Sequence, residues 1–179
     1  MSMPKIPLDV KLIISILYGD ETVFAKVVED LLSSFSSIDF ISQKLSFTET
    51  DYYNVELGDK IFRKFISFTK LFNRSKLSDV KLITNKIEAK FSDKSGKRRV
   101  NIDPGFLSLE NYILATGKNY SHRIYLSDGI YADLTLTYKN SSFQSLLWTY
   151  PDYSSKQVQG ILLTLRKIYK FQLTGKLAL

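Results

Sequence analysis

Val10 to Tyr18 is an almost unbroken apolar run, VKLIISILY, broken only by Lys11 and Ser15. A strand covered on both faces has this pattern, because no position in it is kept for solvent. Gly19-Asp20 ends the run, and Asp20 is of the type that caps a helix. From there the period changes: Val23, Phe24, Val27, Val28, Leu31, Leu32 and Phe35 recur at steps of three and four, predicting a helix with a wide core-facing stripe. A second strand is expected over Ile38 to Phe47, with a bulge or bend where the alternation changes phase between Phe40 and Leu45. A third falls within Ile61 to Phe72. Val80, Ile83, Ile87 and Phe91 define a second helix, capped by Ser75 or Ser78, and the next strand begins near Arg99. Strand–helix–strand–strand–helix–strand is the ferredoxin-like βαββαβ plan.

Beyond it the pattern predicts a short helix around Leu107 to Ala115, then a hairpin over 120–138. Two turns are possible at Ser127-Asp128-Gly129. A three-residue loop with Gly129 at positive φ pairs Leu126 with Ile130, Ile124 with Ala132 and His122 with Leu134, gathering the aliphatic side chains on one face. A buried face dictates register, so this loop is expected over the two-residue Asp-Gly turn. A strand from Phe143 to Trp148 completes an antiparallel β-meander. Pro151 stops the sheet, and Ser154 or Ser155 caps a C-terminal helix with Val158, Ile161, Leu162, Leu165, Ile168 and Tyr169 on its buried stripe. The expected fold class is α+β, a ferredoxin-like arrangement extended by the meander and the last helix. With no repeat, low-complexity tract or linker, residues 1–179 read as one domain, loosely ordered over 1–9 and from about 174.

Composition narrows the chemistry. No cysteine is present and His122 is the only histidine. That excludes disulfides, thiolate nucleophiles, cysteine-based zinc sites and every centre needing two histidines. A metal, if bound, would be a hard cation on carboxylates. The Val10–Tyr18 run is too short to span a bilayer and is followed by Gly-Asp-Glu rather than a small-residue cleavage site. The expectation is a soluble, cytoplasmic protein. Net charge is +7, and residues 91–179 hold 12 Lys/Arg against 6 Asp/Glu, while residues 1–90 are nearly balanced.

The polar and aromatic residues concentrate between Arg98 and Tyr153. Asp103-Pro104-Gly105 reads as a turn, with Pro fixing φ and Gly accepting a positive one. A lone histidine on the apolar face of a hairpin is more often packed, with one satisfied nitrogen, than catalytic; with Asp103 and Arg123 near, His122 also reads as general acid–base chemistry. Arg123 can pair with Asp133 across the hairpin. Arg99 sits in the basic cluster with Lys94, Lys97 and Arg98, which is either a solvated loop or an anion-facing rim. Tyr150, Asp152 and Tyr153 flank the start of the last helix, whose free amides suit an anion. Asp51, Tyr52 and Tyr53 form a similar cluster on a loop. The candidate catalytic residues are therefore His122 and Asp103, and the candidate ligand-binding residues Arg99, Arg123, Tyr150, Asp152 and Tyr153.

Several of these segments resemble an uncharacterised bacterial family, the domain of unknown function 4416. They are Thr50-Asp-Tyr-Tyr with Glu56 and Gly58, Arg99-Val-Asn-Ile-Asp-Pro-Gly, Ser121-His-Arg-Ile-Tyr-Leu, Asp128-Gly-Ile-Tyr-Ala and Trp148-Thr-Tyr-Pro-Asp-Tyr. Some members carry an automatic label of GTP-binding protein, but the residues do not support it. Gly117-Lys118-Asn119 lacks the upstream glycine and the hydroxyl of a phosphate-binding loop, and Asn85-Lys86-Ile87-Glu88 lies in a predicted helix. The leading expectation is a pocket for an anionic, phosphorylated or nucleotide ligand, with or without catalysis. An RNA-binding module using the basic half and a protein-interaction subunit are the alternatives.

Overall fold

In the computed structural model, which describes residues 3–48, 53–58, 60–93 and 95–175, the first apolar run is strand β1 (Val10–Tyr18), buried at all nine positions. Asp20 caps helix α1 (Glu21–Ser34), its carboxylate accepting from the Thr22 N–H at 2.8 Å. Val23, Phe24, Val27 and Leu31 are buried, while Leu32 at the margin of the stripe is exposed. The phase change after Phe40 is a break between two short strands, β2 (Ile38–Ile41) and β3 (Leu45–Phe47). Short helix α2 (Asn54–Leu57) follows, and then β4 (Ile61–Phe72), whose outer edge β2 and β3 share. Ser42 fills the gap between them: its N–H donates to the Phe65 carbonyl at 2.8 Å and its Oγ accepts from the Phe65 N–H at 2.9 Å.

Helix α3 (Leu77–Lys90) buries Val80 and Ile87, but neither Ser75 nor Ser78 caps it. Asn73 caps a 3-10 turn at Arg74–Lys76 in front of it, accepting from the Ser75 N–H at 3.0 Å, and Ser78 is buried within the helix. The next strand, β5 (Val100–Leu107), corrects the reading of Asp103-Pro104-Gly105, which runs straight through mid-strand opposite Ser15, Ile14 and Ile13 of β1. Proline is tolerated because the neighbour on the far edge pairs with β5 only from Gly105 onward, so no ladder bond needs the missing donor. Gly105 serves close packing rather than a turn, since a Cβ there would lie 2.6 Å from the Tyr112 hydroxyl.

The helix expected over Leu107 to Ala115 is instead strand β6 (Asn111–Thr116), entered by a tight turn in which Ser108 Oγ accepts from the Glu110 and Asn111 N–H groups. β7 (Arg123–Ser127) and β8 (Ile130–Lys139) form the hairpin, but the three-residue loop is not used. Ser127 faces Ile130 across a two-residue Asp128-Gly129 turn with φ of 53° and 76°. A bulge at Leu126 then restores the expected pairs Ile124 with Ala132 and Arg123 with Asp133. β7 lies at the sheet margin, where Ile124 is 70% exposed, so no buried face dictates its register there.

The expected meander is also corrected. β9 (Ser142–Ser145) stops short of Trp148 and pairs with β8, but β6 occupies the other edge of β8, so β7 and β9 share one edge. Between them Trp148 Nε1 donates to the Leu134 carbonyl at 2.8 Å and Thr149 Oγ1 to the Thr135 carbonyl at 2.6 Å. α4 (Pro151–Ser154) leads to α5 (Lys156–Thr174), capped by Ser155, whose Oγ accepts from the Val158 N–H at 3.2 Å. The α5 stripe is as read, with Val158, Ile161, Leu162, Leu165 and Tyr169 buried.

All pairings are antiparallel, and the sheet runs β2-β4-β1-β5-β6-β8-β7, with β3 also on β4 and β9 also on β8. Leu12, Ile14 and Ile16 pack with α1 and α3 on one face, and Ile13 packs with α5 on the other. The fold is α+β, a large antiparallel sheet with a C-terminal helix. Several charged side chains are buried in it, Lys11 most completely. Lys11 is fully buried and donates to Asp39 Oδ2 (2.6 Å), the Phe68 carbonyl (3.0 Å) and Gln172 Oε1 (2.9 Å), tying β1 to β2, β4 and α5. Among the described residues no helix is long and apolar enough to cross a membrane.

Candidate functional site

The site begins with an unpaired strand edge. Because β6 pairs with β5 only at Gly105 to Leu107, the backbone of Ile102 has no strand partner on that side. Buried amide groups must be satisfied, and α3 supplies the partners. Glu88 Oε2 accepts from the Ile102 N–H at 2.8 Å, and Lys81 Nζ donates to the Ile102 carbonyl at 3.0 Å. Two opposite charges are thereby drawn to the same strand edge, and each acquires a counter-ion. Arg98 Nη1 donates to Glu88 Oε1 and to Asn101 Oδ1, both at 3.0 Å, while its Nε and Nη2 hold Glu56 at 2.9 and 2.6 Å. Desolvation opposes the Arg98 charge, but the bonds to Glu56 and Glu88 outweigh it and hold its pKa above the ordinary value. Asp103 receives Lys81 at 3.2 Å and Asn101 Nδ2 at 2.6 Å.

These groups form one wall of a cavity of about 710 Å³. A second wall is built on Arg63 of β4, only 5% exposed, ion-paired with Asp152 and flanked by the rings of Phe47 (4.7 Å) and Tyr153 (5.2 Å). Among the described residues its Nε has no hydrogen-bond acceptor. The third wall centres on Arg123, whose Nε donates to Asp133 (2.8 Å), Nη1 to the Lys118 carbonyl (3.0 Å) and Nη2 to the Tyr150 hydroxyl (2.8 Å). Tyr53 also lines the cavity. Its phenol pKa is pushed up, first by burial and then by Asp103, with Arg98 and Arg63 opposing and Tyr150 adding to the rise. The three walls therefore act on one phenol.

Of the residues nominated from sequence, Asp103, Arg123, Tyr150, Asp152 and Tyr153 line this cavity and His122 and Arg99 do not. His122 lies in a neighbouring shallow groove with Tyr120, Leu147 and Trp148. There it stacks on Trp148 (4.8 Å, 12°) with Nε2 3.3 Å from Asp133 Oδ2, a packed histidine behind the Arg123–Asp133 pair. Arg99 pairs with Asp20 at 2.9 Å on the surface. Asp51, Tyr52 and Lys94 lie outside the described residues.

The sequence reading missed Arg63, Lys81, Glu88 and Asn101, and did not separate Arg98 from Arg99. Three of these carried a signal. Arg63 alternates with Ile61 and Phe65 on the buried face of a strand, and Lys81 and Glu88 fall on the same helix stripe as Leu77, Val80, Thr84 and Ile87. A charge on a core-facing stripe requires a partner. Asn101 carried none, because its place depends on Arg98 and Asp103 meeting there.

The cavity is lined by Arg63, Lys81, Arg98, Lys118 and Arg123 against Glu88, Asp103, Asp133 and Asp152. Fixed donors and acceptors beside aromatic rings are the makings of a small-molecule site. Among the described residues no group of three or more His, Asp or Glu side chains is placed to hold a metal ion. No curated protein and no solved structure matches the chain. A family model does match, over residues 8–169, and with most of the chain so covered the protein belongs to the family described as domain of unknown function (DUF4416).

Proposed function

We propose that this protein binds a small organic anion in the cavity between β4, β5, α3 and α4. The observation that carries the reading is Arg63. A guanidinium in an apolar, ring-lined wall with an N–H lacking an acceptor is unusual, because an unmade bond to a buried donor costs about 1–3 kcal/mol. An acceptor oxygen entering the cavity offsets that cost after a small shift of the side chain. Arg98 and Arg123 support the same reading, since their carboxylate partners hold them in position before any ligand arrives. A phosphorylated or nucleotide ligand falls within this class.

The elements from β1 to β5 support a ferredoxin-like reading through the strand order β2-β4-β1-β5, and the absence of cysteine is compatible with a reducing cytoplasm. A nucleic-acid reading has less behind it, because Arg98 and Arg99 are already engaged by Glu56, Glu88 and Asp20. The exposed side chains of Ile124, Tyr125 and Leu147 are the support for a protein partner.

The test is a thermal-shift screen of inorganic phosphate, phosphorylated metabolites, nucleotides and dicarboxylates. A ligand at 100 times its Kd stabilises the native state by about 2.7 kcal/mol. Arg98→Gln and Arg123→Gln are expected to lose the shift and His122→Ala to keep it. If no anion shifts the transition, or both arginine variants keep the full shift, the reading is overturned.

A further inference from the structure

We propose that the ligand carries hydroxyl groups beside its anionic group, as a sugar phosphate does, and that the Lys81–Asp103–Asn101 corner reads them. This rests on the cavity being an anion site. It begins from a feature that anion binding alone leaves unused: the cavity also presents carboxylates, and they are not equally committed. The side chains of Asp133, Glu88 and Asp152 are almost shut off, whereas that of Asp103 is 36% exposed. A carboxylate oxygen accepts two hydrogen bonds, and here, among the described residues, Oδ1 receives only Lys81 and Oδ2 only Asn101. An anion set against Asp103 would be repelled, so the ligand must bring a donor to that point.

Lys81 decides which donor. Its ammonium, 3.2 Å from Asp103 Oδ1, already neutralises the carboxylate and would oppose a second cation, which disfavours an amino group. A hydroxyl carries no charge and works in both directions. It donates to Asp103 and accepts from Lys81, which uses two of its three N–H groups on Ile102 and Asp103. Neighbouring hydroxyls on a sugar ring alternate donor and acceptor in the same manner as this corner. The second observation is the Arg63 guanidinium, which lines the same cavity and whose Nε has no acceptor among the described residues; it supplies the anion end. The rings of Phe47 and Tyr53, 6.0 Å apart at 65°, line the same cavity and offer an apolar surface to the C–H face of a sugar. A cavity of about 710 Å³ accommodates a ligand of this size.

The experiment is calorimetric titration of the whole chain with ribose 5-phosphate, its 2-deoxy and 3-deoxy counterparts, inorganic phosphate and adenosine 5′-monophosphate. Ribose 5-phosphate, or the nucleotide that contains it, is expected to bind about tenfold tighter than inorganic phosphate and than at least one deoxy form, the worth of one hydrogen bond to a charged group. In Asp103→Ala that preference should fall to about twofold or less while inorganic phosphate binds as well or better, since a repelling charge is gone. Asp103→Asn, which keeps a partner for Lys81, repeats the test if the alanine variant does not fold. Tighter binding of the nucleotide than of ribose 5-phosphate points to a nucleotide source, and the reverse to a free sugar phosphate. If the deoxy forms bind like ribose 5-phosphate, or both Asp103 variants keep the preference, the hydroxyl inference fails. The anion site itself would stand in that case, provided phosphate binding is lost in Arg98→Gln. If none of the five compounds binds, both fail.

Discussion

Removing the Arg63 guanidinium should cost far more stability than removing a surface arginine, and the geometry gives the size. The side chains of Arg63 and Asp152 are 6% and 12% exposed, so solvent screens the pair little. Arg63→Met strands the Asp152 carboxylate in that wall with one remaining donor, the Tyr153 N–H at 2.9 Å. Breaking one side of a buried pair costs about 3–5 kcal/mol, and the retained amide bond places the expectation near the lower end, about 3 kcal/mol. In a chain of this length that is a fall in Tm of about 6–12 °C. Asp152→Ala should cost a similar amount, because it strands the guanidinium. The double variant removes both charges and should lose about 1.5–3 kcal/mol less than the sum of the singles. Urea unfolding followed by Trp148 fluorescence measures all four proteins, and a repeat at high salt should leave the coupling almost unchanged. A cost for Arg63→Met below about 1 kcal/mol, as for an exposed pair, or strict additivity, would show that the pair is solvated and the buried-wall argument mistaken.

Two further outcomes are expected. Gly19→Ala places a Cβ 2.2 Å from the Leu57 carbonyl oxygen, a backbone atom that cannot turn aside, so chemical denaturation should show a loss of at least about 1–3 kcal/mol; Gly117→Ala, with open space around it, should stay within about 0.5 kcal/mol of wild type, and equal effects would refute the argument. Burial, opposed by the bond to Asp39, lowers the Lys11 pKa from its ordinary 10.5, so between the folded and unfolded values the unfolded chain holds more protons. The Lys11 contribution to stability therefore rises with pH across that window, and the difference in unfolding free energy from Lys11→Met should move in favour of wild type as pH approaches 10.5; a flat difference would contradict the depressed pKa.

Elements held by a single strong period were legible. β1, α1, β4 and α5 each commit one or both faces to a core, so their residues carry the period in the chain itself. The segment from Asp103 to Ala115 was not, because local chemistry there points to a turn and a helix while pairing with β1 and β8 demands strands. Pro104 and Gly105 are turn formers by habit, and only the register against Ile14 and the ring of Tyr112 explains them as strand residues. The site divides the same way. Asp103, Arg123 and Tyr150 to Tyr153 stood out as a polar block in one half of the chain. Arg63 and Lys81 come from the other half, and Lys81 owes its place to Ile102 lacking a strand partner on the side away from β1. That is a fact of pairing, which no window of residues contains.

The two margins of the sheet are built alike. At each, a long strand has its outer edge divided between two short ones, β2 and β3 along β4 and β7 and β9 along β8, and the gap is closed from a loop, by Ser42 at one margin and by Trp148 and Thr149 at the other. A long open strand is a template on which another chain can add its backbone, the first step of runaway aggregation. Among the described residues, dividing the margin leaves strands of three to five residues facing outward, each too short to seed such growth. The chain thus carries the apolar, β-rich sequence needed for a large sheet without offering that sheet as a nucleus for self-assembly.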